Sequence, residues 1–286
     1  MAKIDSKTKY IGLLGYPLGH SISPAMQNAA FESRDVNYLY IPIELKKEDL
    51  EHVVKAMPKM NFAGFNVTIP YKIEIMKFLD EIDDLAKSIG AVNTVAIKDG
   101  KLRGYNTDGI GFLRSMEDEL SLSADGRNIL ILGSGGAARA ISMTLAMNKA
   151  NRIYICNRTY ERAEGLVKDI NDKYGNVAIS IPMVKEKMEY AVNDAEILIN
   201  TTCVGTYPNI DETPIDKEIL KGHLAVCDVV YNPRKTKLLQ DAEKLGCKTM
   251  SGLGMLIYQG AEAFEIWTGA KAPVDTMSAA ATAALF

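Results

Sequence analysis

A short apolar run that leads directly into a glycine loop constrains the fold of this chain more than any other feature. Residues 128–132 read Asn-Ile-Leu-Ile-Leu and are followed by Gly133-Ser-Gly-Gly-Ala-Ala-Arg139. A continuous apolar run is typical of a central parallel strand that is covered on both faces. A helical pattern follows the loop to about residue 148. The segment therefore predicts a strand, a glycine turn and a helix, which together open a doubly wound α/β domain.

The small residues of the loop indicate dinucleotide binding. Gly133, Gly135 and Ala138 fit the pattern G-x-G-x-x-A. Such a backbone can turn tightly and approach a pyrophosphate closely, and the helix N-terminus offers N–H groups and a partial positive charge. The candidate cofactor-binding residues of this loop are Gly133, Ser134, Gly135, Gly136, Ala137 and Ala138. A plain structural turn is the alternative interpretation.

The end of the next predicted strand, residues 152–156, favours NADP over NAD. A site for NAD would place Asp or Glu there to accept from the ribose 2′-hydroxyl. This chain has Asn157, Arg158 and Thr159 instead, followed by Arg162. Two guanidinium groups about a helical turn apart can pair with a doubly charged 2′-phosphate. The alternative is that Thr159 caps a helix and both arginines are solvated.

The remaining periodicity predicts two α/β units. Further strands of the second unit are predicted at residues 177–181, 197–200 and 224–230, mostly separated by helices, and the chain after about residue 251 is largely helical. In the first unit, strands are predicted at residues 10–15, 38–45, 62–68 and 91–98, and apolar residues recur at helical spacing over residues 47–57 and 71–89. Pro42 favours an edge position for the second strand. The predicted class is α/β, with an N-terminal α/β domain, a Rossmann domain and C-terminal helices that return to the first domain.

Composition excludes several classes of protein. The chain has 286 residues, enough for about two domains. Its net charge of −3 provides no positive field for nucleic acid. The four cysteines and three histidines lack the spacing of a zinc site, so no metal is expected and the thiols are interpreted as reduced. We predict a cytoplasmic protein without a membrane segment, because the N-terminus lacks a signal-peptide core and no apolar run approaches about 18 residues.

Polar residues also occur where the strands of the first unit end. Ser21 and Ser23 lie in Gly-Tyr-Pro-Leu-Gly-His-Ser-Ile-Ser-Pro, Thr68 and Lys72 in Gly-Phe-Asn-Val-Thr-Ile-Pro-Tyr-Lys, Asn93 in Gly-Ala-Val-Asn-Thr, Asp108 in Gly-Tyr-Asn-Thr-Asp, and Gln259 in Tyr-Gln-Gly-Ala. Each residue alone could be a helix cap, a turn residue or a solvated charge. Together, in this order, the motifs closely resemble the signatures of the shikimate dehydrogenase family from about residue 12 to the C-terminus.

The resemblance implies reversible, NADP(H)-dependent reduction of 3-dehydroshikimate to shikimate. It implies that Ser21 and Ser23 donate to the substrate carboxylate, and that Thr68, Asn93 and Gln259 hydrogen-bond ring hydroxyls or the carboxylate. Lys72 and Asp108 match the family's catalytic pair, in which an ammonium serves as general acid or base and a carboxylate orients it.

The second half continues the resemblance. Residues 200–206 are similar to the family's Asn-Ala-Thr-Ser-x-Gly-Met loop, from which Thr201, Cys203 and Thr206 depart. The resemblance implies cofactor contacts for Thr202, Val230 and Gly252. It also implies that Tyr231 and Gly254 lie near the substrate and the nicotinamide.

Two alternatives and several details stay open at this point. A quinate/shikimate dehydrogenase that uses NAD or NADP would carry similar motifs. A non-catalytic NADP-binding sensor would be expected to lack the catalytic lysine or acid. The expected domains are residues 1–108 with 255–286 for substrate and residues 109–254 for NADP. The expected partners are small molecules and not nucleic acid or membrane, and a homodimer is left open.

Overall fold

The structure of the protein is a computed structural model that describes residues 4–19 and 21–285. Its contacts divide the chain into two units. The first unit comprises the chain up to Thr107 together with the segment that begins at Ile257, and the second unit is Asp108–Leu256. The return of the C-terminal segment to the first unit is confirmed, and the second boundary falls within one helix, Gly252–Thr268.

The first unit is built on a six-stranded mixed sheet in the order β2-β1-β3-β5-β6-β4. The strands are β1 (Lys9–Gly15), β2 (Tyr38–Glu44), β3 (Phe62–Val67), β4 (Glu81–Ile82), β5 (Thr94–Lys98) and β6 (Lys101–Tyr105). β1 pairs in parallel with β2 and β3, whereas β5 is antiparallel to β3 and β6. The edge position that Pro42 predicts for β2 is confirmed.

The helices of the first unit come from both its N-terminal and its C-terminal segment. They are α1 (Ser23–Ser33), α2 (Leu50–Ala56), α3 (Asp84–Ile89), most of α9 (Gly252–Thr268) and α10 (Val274–Leu285). In this set, α1 of the N-terminal segment contacts α10 of the C-terminal segment. Short 3-10 turns cover Lys47–Asp49, Met57–Lys59 and Glu74–Phe78. Trp267 of α9 donates its indole N–H to the Val95 carbonyl over 3.0 Å. A Cβ at Gly64 would lie 2.4 Å from the same indole nitrogen, so the absence of a side chain there lets α9 pack on β3.

The prediction of one helical stretch over residues 71–89 is wrong. The segment forms a 3-10 turn, the short strand β4 and the separate helix α3. Asp83 is the N-cap of α3, and its side chain accepts from Leu85 N over 2.9 Å. Asp80 exchanges hydrogen bonds with the backbone of Leu102 and so ties the segment to β6. Apolar residues recur at helical spacing here because the successive short elements all place apolar side chains in or against one core cluster of the first unit.

The second unit is a six-stranded parallel sheet in the order β12-β11-β10-β7-β8-β9. The strands are β7 (Asn128–Leu132), β8 (Arg152–Cys156), β9 (Ala178–Ile181), β10 (Ile197–Asn200), β11 (Ala225–Asp228) and β12 (Lys248–Met250). The helices are α4 (Asp108–Leu120), α5 (Gly136–Met147), α6 (Tyr160–Tyr174), α7 (Lys185–Asp194) and α8 (Lys237–Lys244). This strand order is that of a doubly wound dinucleotide-binding fold, whose topological switch lies between β7 and β10. The predicted Rossmann class is confirmed.

Candidate active site and cofactor site

Asn93 is the centre of a buried polar network in the first unit. Its side chain is 3% exposed. Asn93 Oδ1 accepts from Thr107 N over 2.9 Å and from Thr94 Oγ1 over 3.0 Å, and its Nδ2 donates to Thr107 Oγ1 over 3.0 Å. These bonds fix the orientation of the Asn93 amide.

Asn66 and Tyr40 extend this network, and sequence analysis missed both. Asn66 Nδ2 donates to Asn93 O and Thr94 Oγ1 over 3.0 and 2.9 Å. Its Oδ1 accepts from the Tyr40 hydroxyl over 2.8 Å. Burial raises the pKa of Tyr40, opposed by a hydrogen bond from Ser23, so the phenol stays neutral and keeps its proton. The available signal was a polar residue within the buried run Phe-Ala-Gly-Phe-Asn-Val.

Thr68 and Lys72 follow β3 and are joined to the same network through the backbone. Thr68 N donates to Leu14 O over 2.9 Å, and Val92 N donates to Lys72 O over 2.8 Å. Val92 precedes Asn93, whose side chain holds Thr107, and Asp108 is the next residue along the chain. Two hydrogen bonds, joined by the Val92–Asn93 peptide bond, thus connect the backbone at Lys72 with Thr107, the residue before Asp108. The helix α4 begins at Asp108 itself.

Ser21 and Ser23 lie at the start of α1, and both are half-buried. Ser21 Oγ accepts from Ser23 N over 3.3 Å, but the N-cap of α1 is Ile22, and no side chain caps the helix there. Ser23 lies beside the Tyr40 hydroxyl, which connects it with the network around Asn93.

Gln259 lies on α9, next to a residue that binds α1. Gln27 of α1 is fully buried and donates from Nε2 to Gly260 O over 2.8 Å. A Cβ at Gly260 would lie 2.4 Å from Met26 Cε and 3.2 Å from Gln27 Nε2, so the absence of a side chain there lets the two helices approach closely. The helix that carries Ser23 and the helix that carries Gln259 are therefore bound together within the first unit.

The glycine loop of the second unit leaves open space at the start of α5. Gly133 has φ +113°, which favours glycine, and a Cβ there would lie 2.5 Å from Thr201 Oγ1. A Cβ at Gly135 or Gly136 would meet no atom within 4 Å. The first N–H groups of an α-helix lack intrahelical acceptors, and α5 begins at Gly136 with no side-chain cap. Ala138 is fully buried against the unit. The loop therefore fits a pyrophosphate.

Four polar residues follow β8. Asn157 Nδ2 donates to Thr159 O over 2.8 Å and shapes the turn. Thr159 occupies the N-cap position of α6, but its side chain makes no capping hydrogen bond. Arg158 and Arg162 are exposed, and in the part of the chain that the structure describes neither guanidinium pairs with a carboxylate. These donors fit the 2′-phosphate of NADP.

The loop after β10 lies beside the glycine loop, and β11 is the next strand along the sheet. Thr201 donates from both N and Oγ1 to Leu132 O, over 2.9 and 2.7 Å. Thr202 N and Oγ1 donate to Asn200 Oδ1, over 3.0 and 2.7 Å. Val230 N donates to Asp228 Oδ1 over 3.0 Å. Parallel strands deliver their carboxyl-end loops to one edge of the sheet, where dinucleotides bind.

Asp228 and Asn200 were not identified from the sequence as functional residues. Each is a polar residue that ends a buried apolar strand. Burial raises the pKa of Asp228 to about 6, opposed by hydrogen bonds from Thr236, Val230 and Asn200.

Glycine is required by packing at two further positions near this edge. A Cβ at Gly252 would lie 2.1 Å from Val229 O, and a Cβ at Gly254 would lie 2.0 Å from Glu119 Oε1. Tyr231, the remaining candidate of this region, is half-buried directly after Val230. Packing thus accounts for Gly254 within the second unit.

Residues 4–19 and 21–285 contain neither a metal-binding group of side chains nor a membrane-spanning helix. Across these residues, His, Cys, Asp and Glu side chains form no group that could hold a metal ion. Likewise, no helix in this described part is long and apolar enough to cross a membrane.

Comparison with known proteins identifies the family. The shikimate dehydrogenase (NADP(+)) of Methanocaldococcus jannaschii is 49% identical over 275 residues, which cover 96% of this chain and 96% of that protein. The chain belongs to the shikimate dehydrogenase family. Three family models match parts of this family member: the shikimate dehydrogenase substrate binding domain over residues 13–95, shikimate/quinate 5-dehydrogenase over residues 116–231, and the shikimate 5′-dehydrogenase C-terminal domain over residues 252–282.

Solved structures of shikimate dehydrogenases have the same fold. A crystal structure of a shikimate dehydrogenase in complex with NADP+ matches 100% of this chain and 98% of its own, with 45% identity and a TM-score of 0.93. The shikimate 5-dehydrogenase of Listeria monocytogenes, in complex with shikimate and NAD, is 39% identical with a TM-score of 0.93, and the match covers 97% of each chain.

A quinate dehydrogenase also shares the fold. The enzyme from Corynebacterium glutamicum, in complex with NAD, is 31% identical with a TM-score of 0.89, over 96% of this chain and 99% of that one. Fold similarity alone therefore does not distinguish shikimate from quinate enzymes within this family.

Proposed function

We propose that this chain is an NADP-dependent shikimate dehydrogenase, an oxidoreductase that reversibly reduces the ketone of 3-dehydroshikimate to the alcohol of shikimate. The geometric observation that carries the proposal is that the adjacent residues Val92 and Asn93 hold the backbone at Lys72 and at Thr107, directly before Asp108, through one hydrogen bond each. The similarity to shikimate dehydrogenases (NADP(+)) over nearly the full length supplies the substrate and the cofactor. The reaction belongs to the biosynthesis of chorismate and the aromatic amino acids.

The first unit binds the substrate in this proposal. Ser21 and Ser23 donate to the carboxylate, which short neutral donors can hold without a fixed counter-charge. Asn93 donates its amide to a ring oxygen, in keeping with the internal donors on Oδ1. Thr68, Gln259 and Tyr231 complete the proposed set.

Lys72 and Asp108 carry out the proton transfer in this proposal. Reduction of the ketone leaves an alkoxide, to which the Lys72 ammonium gives a proton. In the reverse direction the neutral amine removes that proton from the alcohol. The Asp108 carboxylate orients the ammonium and accepts a hydrogen bond from the hydroxyl that is oxidised.

The second unit holds the cofactor, and NADPH supplies the hydride when it is bound. The residues proposed for the pyrophosphate are Gly133, Ser134, Gly135, Gly136, Ala137 and Ala138. Arg158 and Arg162 bind the 2′-phosphate as cations, and Asn157 and Thr159 shape the turn that carries them. Thr202, Val230 and Gly252 contact the nicotinamide half.

Initial rates test the proposal with four combinations of substrate and cofactor. The wild-type chain is expected to show its highest kcat/KM with shikimate and NADP. A higher kcat/KM with quinate and NAD would overturn the assignment in favour of the quinate alternative. No turnover with any pair, despite NADP binding, would favour the sensor alternative.

The Lys72→Ala variant tests the assigned acid and base. It is expected to retain NADP binding and to lose turnover by about a hundredfold or more, because it lacks the proton donor. Lys77→Ala is the matched control, since Lys77 is an exposed lysine paired with Glu74 over 2.8 Å. Full activity in Lys72→Ala, or an equal loss in Lys77→Ala, would contradict the role of Lys72.

Three further assignments belong to the proposal. The substrate domain is residues 1–108 with 255–286, and the NADP domain is residues 109–254. The enzyme is cytoplasmic in this proposal, and sedimentation equilibrium tests the homodimer that the sequence leaves open. A monomer mass at micromolar concentration would remove the dimer without affecting the proposed reaction.

A further inference from the structure

Two adjacent polar side chains occupy the carboxyl ends of β10 and β11. Asn200 ends β10, Asp228 ends β11, and both are fully buried. Asn200 Nδ2 donates to Asp228 Oδ1 over 2.9 Å. A buried amide and a buried carboxylate lose hydration and need hydrogen-bond partners, so their partners show what the pair holds in place.

Each member of this pair holds one of the two loops. Asn200 Oδ1 accepts from both N and Oγ1 of Thr202. Asp228 Oδ1 accepts from Val230 N, and Val230 O accepts from Gly252 N over 3.1 Å. Thr202, Val230 and Gly252 are the three residues assigned to the nicotinamide half of NADP. A single hydrogen-bonded series through Asn200 and Asp228 therefore joins all three.

The second oxygen of Asp228 binds the start of the next helix. Asp228 Oδ2 accepts from Thr236 Oγ1 over 2.7 Å, and Thr236 is the N-cap of α8. Within the described residues no cation pairs with Asp228. Burial of a carboxylate without an ion pair costs desolvation free energy, which its hydrogen bonds from Asn200, Val230 and Thr236 partly offset. Its partners are the loops of the proposed cofactor site.

We propose that Asp228 is a positioning residue for NADP, which acts through Asn200 and Val230 to fix the two loops that receive the nicotinamide half. The inference rests on the proposed function, because it takes the NADP site as given. Only the nicotinamide half of NADP depends on Asp228 in this inference. The adenosine half depends on the glycine loop and on Arg158 and Arg162.

Calorimetric titration of the full chain tests this with two ligands, NADP and adenosine 2′,5′-bisphosphate, which lacks the nicotinamide. Asp228→Ala is expected to weaken NADP binding by about tenfold or more, the effect of losing about one well-formed hydrogen bond in the site. Binding of the bisphosphate should stay within about twofold of wild type. Asp228→Asn should restore most of the NADP affinity, because an amide oxygen can still accept from Asn200 and Val230 while its NH2 faces the Thr236 hydroxyl.

Asn171→Ala is the matched control. The Asn171 amide also ties loop backbone in the second unit, with Ala178 N and O at 2.8 and 2.9 Å, but it does so beside β9. It should leave both affinities unchanged. If Asp228→Ala does not fold, Asn200→Ala carries the test with the same expected split between the two ligands.

The outcomes separate this inference from the proposed function. Equal loss of both ligands, no loss of either, or the same split in Asn171→Ala would overturn the role of Asp228. A wild-type chain that binds the bisphosphate but not NADP would overturn the proposed function itself.

Discussion

Single buried hydroxyl and amide groups fix the side chains assigned to the substrate. Tyr40 donates to Asn66, and Asn66 donates to Thr94 and to the backbone of Asn93. These atoms are buried, so each lost partner leaves a polar atom without hydration. The donors and acceptors are ordered along this series, which fixes the direction in which Asn93 presents its amide.

Tyr40→Phe tests this ordering. The variant leaves Asn66 Oδ1 without its donor, which should lower the free energy of unfolding by about 1–2 kcal/mol. It should also raise KM for shikimate several-fold while KM for NADP stays unchanged, because Asn93 and Ser23 lose a fixed neighbour. Steady-state kinetics and thermal unfolding measure both effects.

Tyr38→Phe is the control for that experiment. Tyr38 lies two residues earlier on β2, and its ring packs against Phe31 with centroids 5.5 Å apart. The control should leave KM for shikimate unchanged. An equal rise of KM in both variants would show that loss of a phenol from β2, rather than the Asn66 contact, is responsible.

The residues that sequence analysis missed share one physical property. Asn66, Asn200 and Asp228 end or interrupt buried strands, and each has a hydrogen-bond partner 26 to 28 positions away in the chain. A sequence shows the polar residue but not its distant partner. Ser21, Lys72 and Asp108 were proposed only because several motifs resemble one family in order, since each has an ordinary local explanation.

At the scale of secondary structure, the second unit was more predictable than the first. Strands β7, β8 and β10 are buried parallel strands, which give continuous apolar runs with clear ends. By contrast, β6 was not predicted, because its burial alternates and it carries Lys101 and Arg103. The Asp99-Gly100 turn before it was the available signal.

Gly135→Ala tests the glycine loop as an element that binds pyrophosphate. A Cβ at Gly135 meets no protein atom within 4 Å, so the variant should fold with unchanged thermal stability. The methyl group would occupy the space that the pyrophosphate needs, and KM for NADP should rise by about tenfold or more, a loss of about 1.4 kcal/mol in binding.

Gly165→Ala is the matched control, since its Cβ also meets no atom within 4 Å and it lies on α6. It should leave KM for NADP unchanged and raise stability by about 0.5–1 kcal/mol through helix propensity. Unchanged NADP kinetics in Gly135→Ala would contradict the assigned role of the loop.

At the scale of the whole molecule, the first unit depends on both ends of the chain. Trp267 binds the β5 backbone, and Gln27 of α1 binds Gly260 of α9. The rings of Phe31 and Phe264 stack with centroids 5.4 Å apart. The sequence predicted this return only as a consequence of length and resemblance, because contacts across 172 to 233 residues leave no local pattern.

The pH dependence of stability is a property of the whole molecule to which Asp228 contributes with a known sign. Burial raises the pKa of Asp228 to about 6 from its ordinary value of 3.8, so the folded state retains a proton that the unfolded state loses. Stability from this group therefore falls as pH rises from about 4 to 6, by about 3 kcal/mol. Asp228→Asn removes the titration, so its stability relative to wild type should increase over that range and level off above it.

Asp241 provides a control of opposite sign for the same titration. Hydrogen bonds with Lys237 and Lys244 lower the pKa of Asp241, so its contribution is present at neutral pH and is lost as pH falls through the folded pKa. Asp241→Asn should therefore lose stability relative to wild type as pH rises towards about 4 and change little above that pH. Calorimetric unfolding from about pH 2 to 8 covers both titrations. A flat difference between Asp228→Asn and wild type would show that Asp228 is ionised in the folded state as readily as in the unfolded chain.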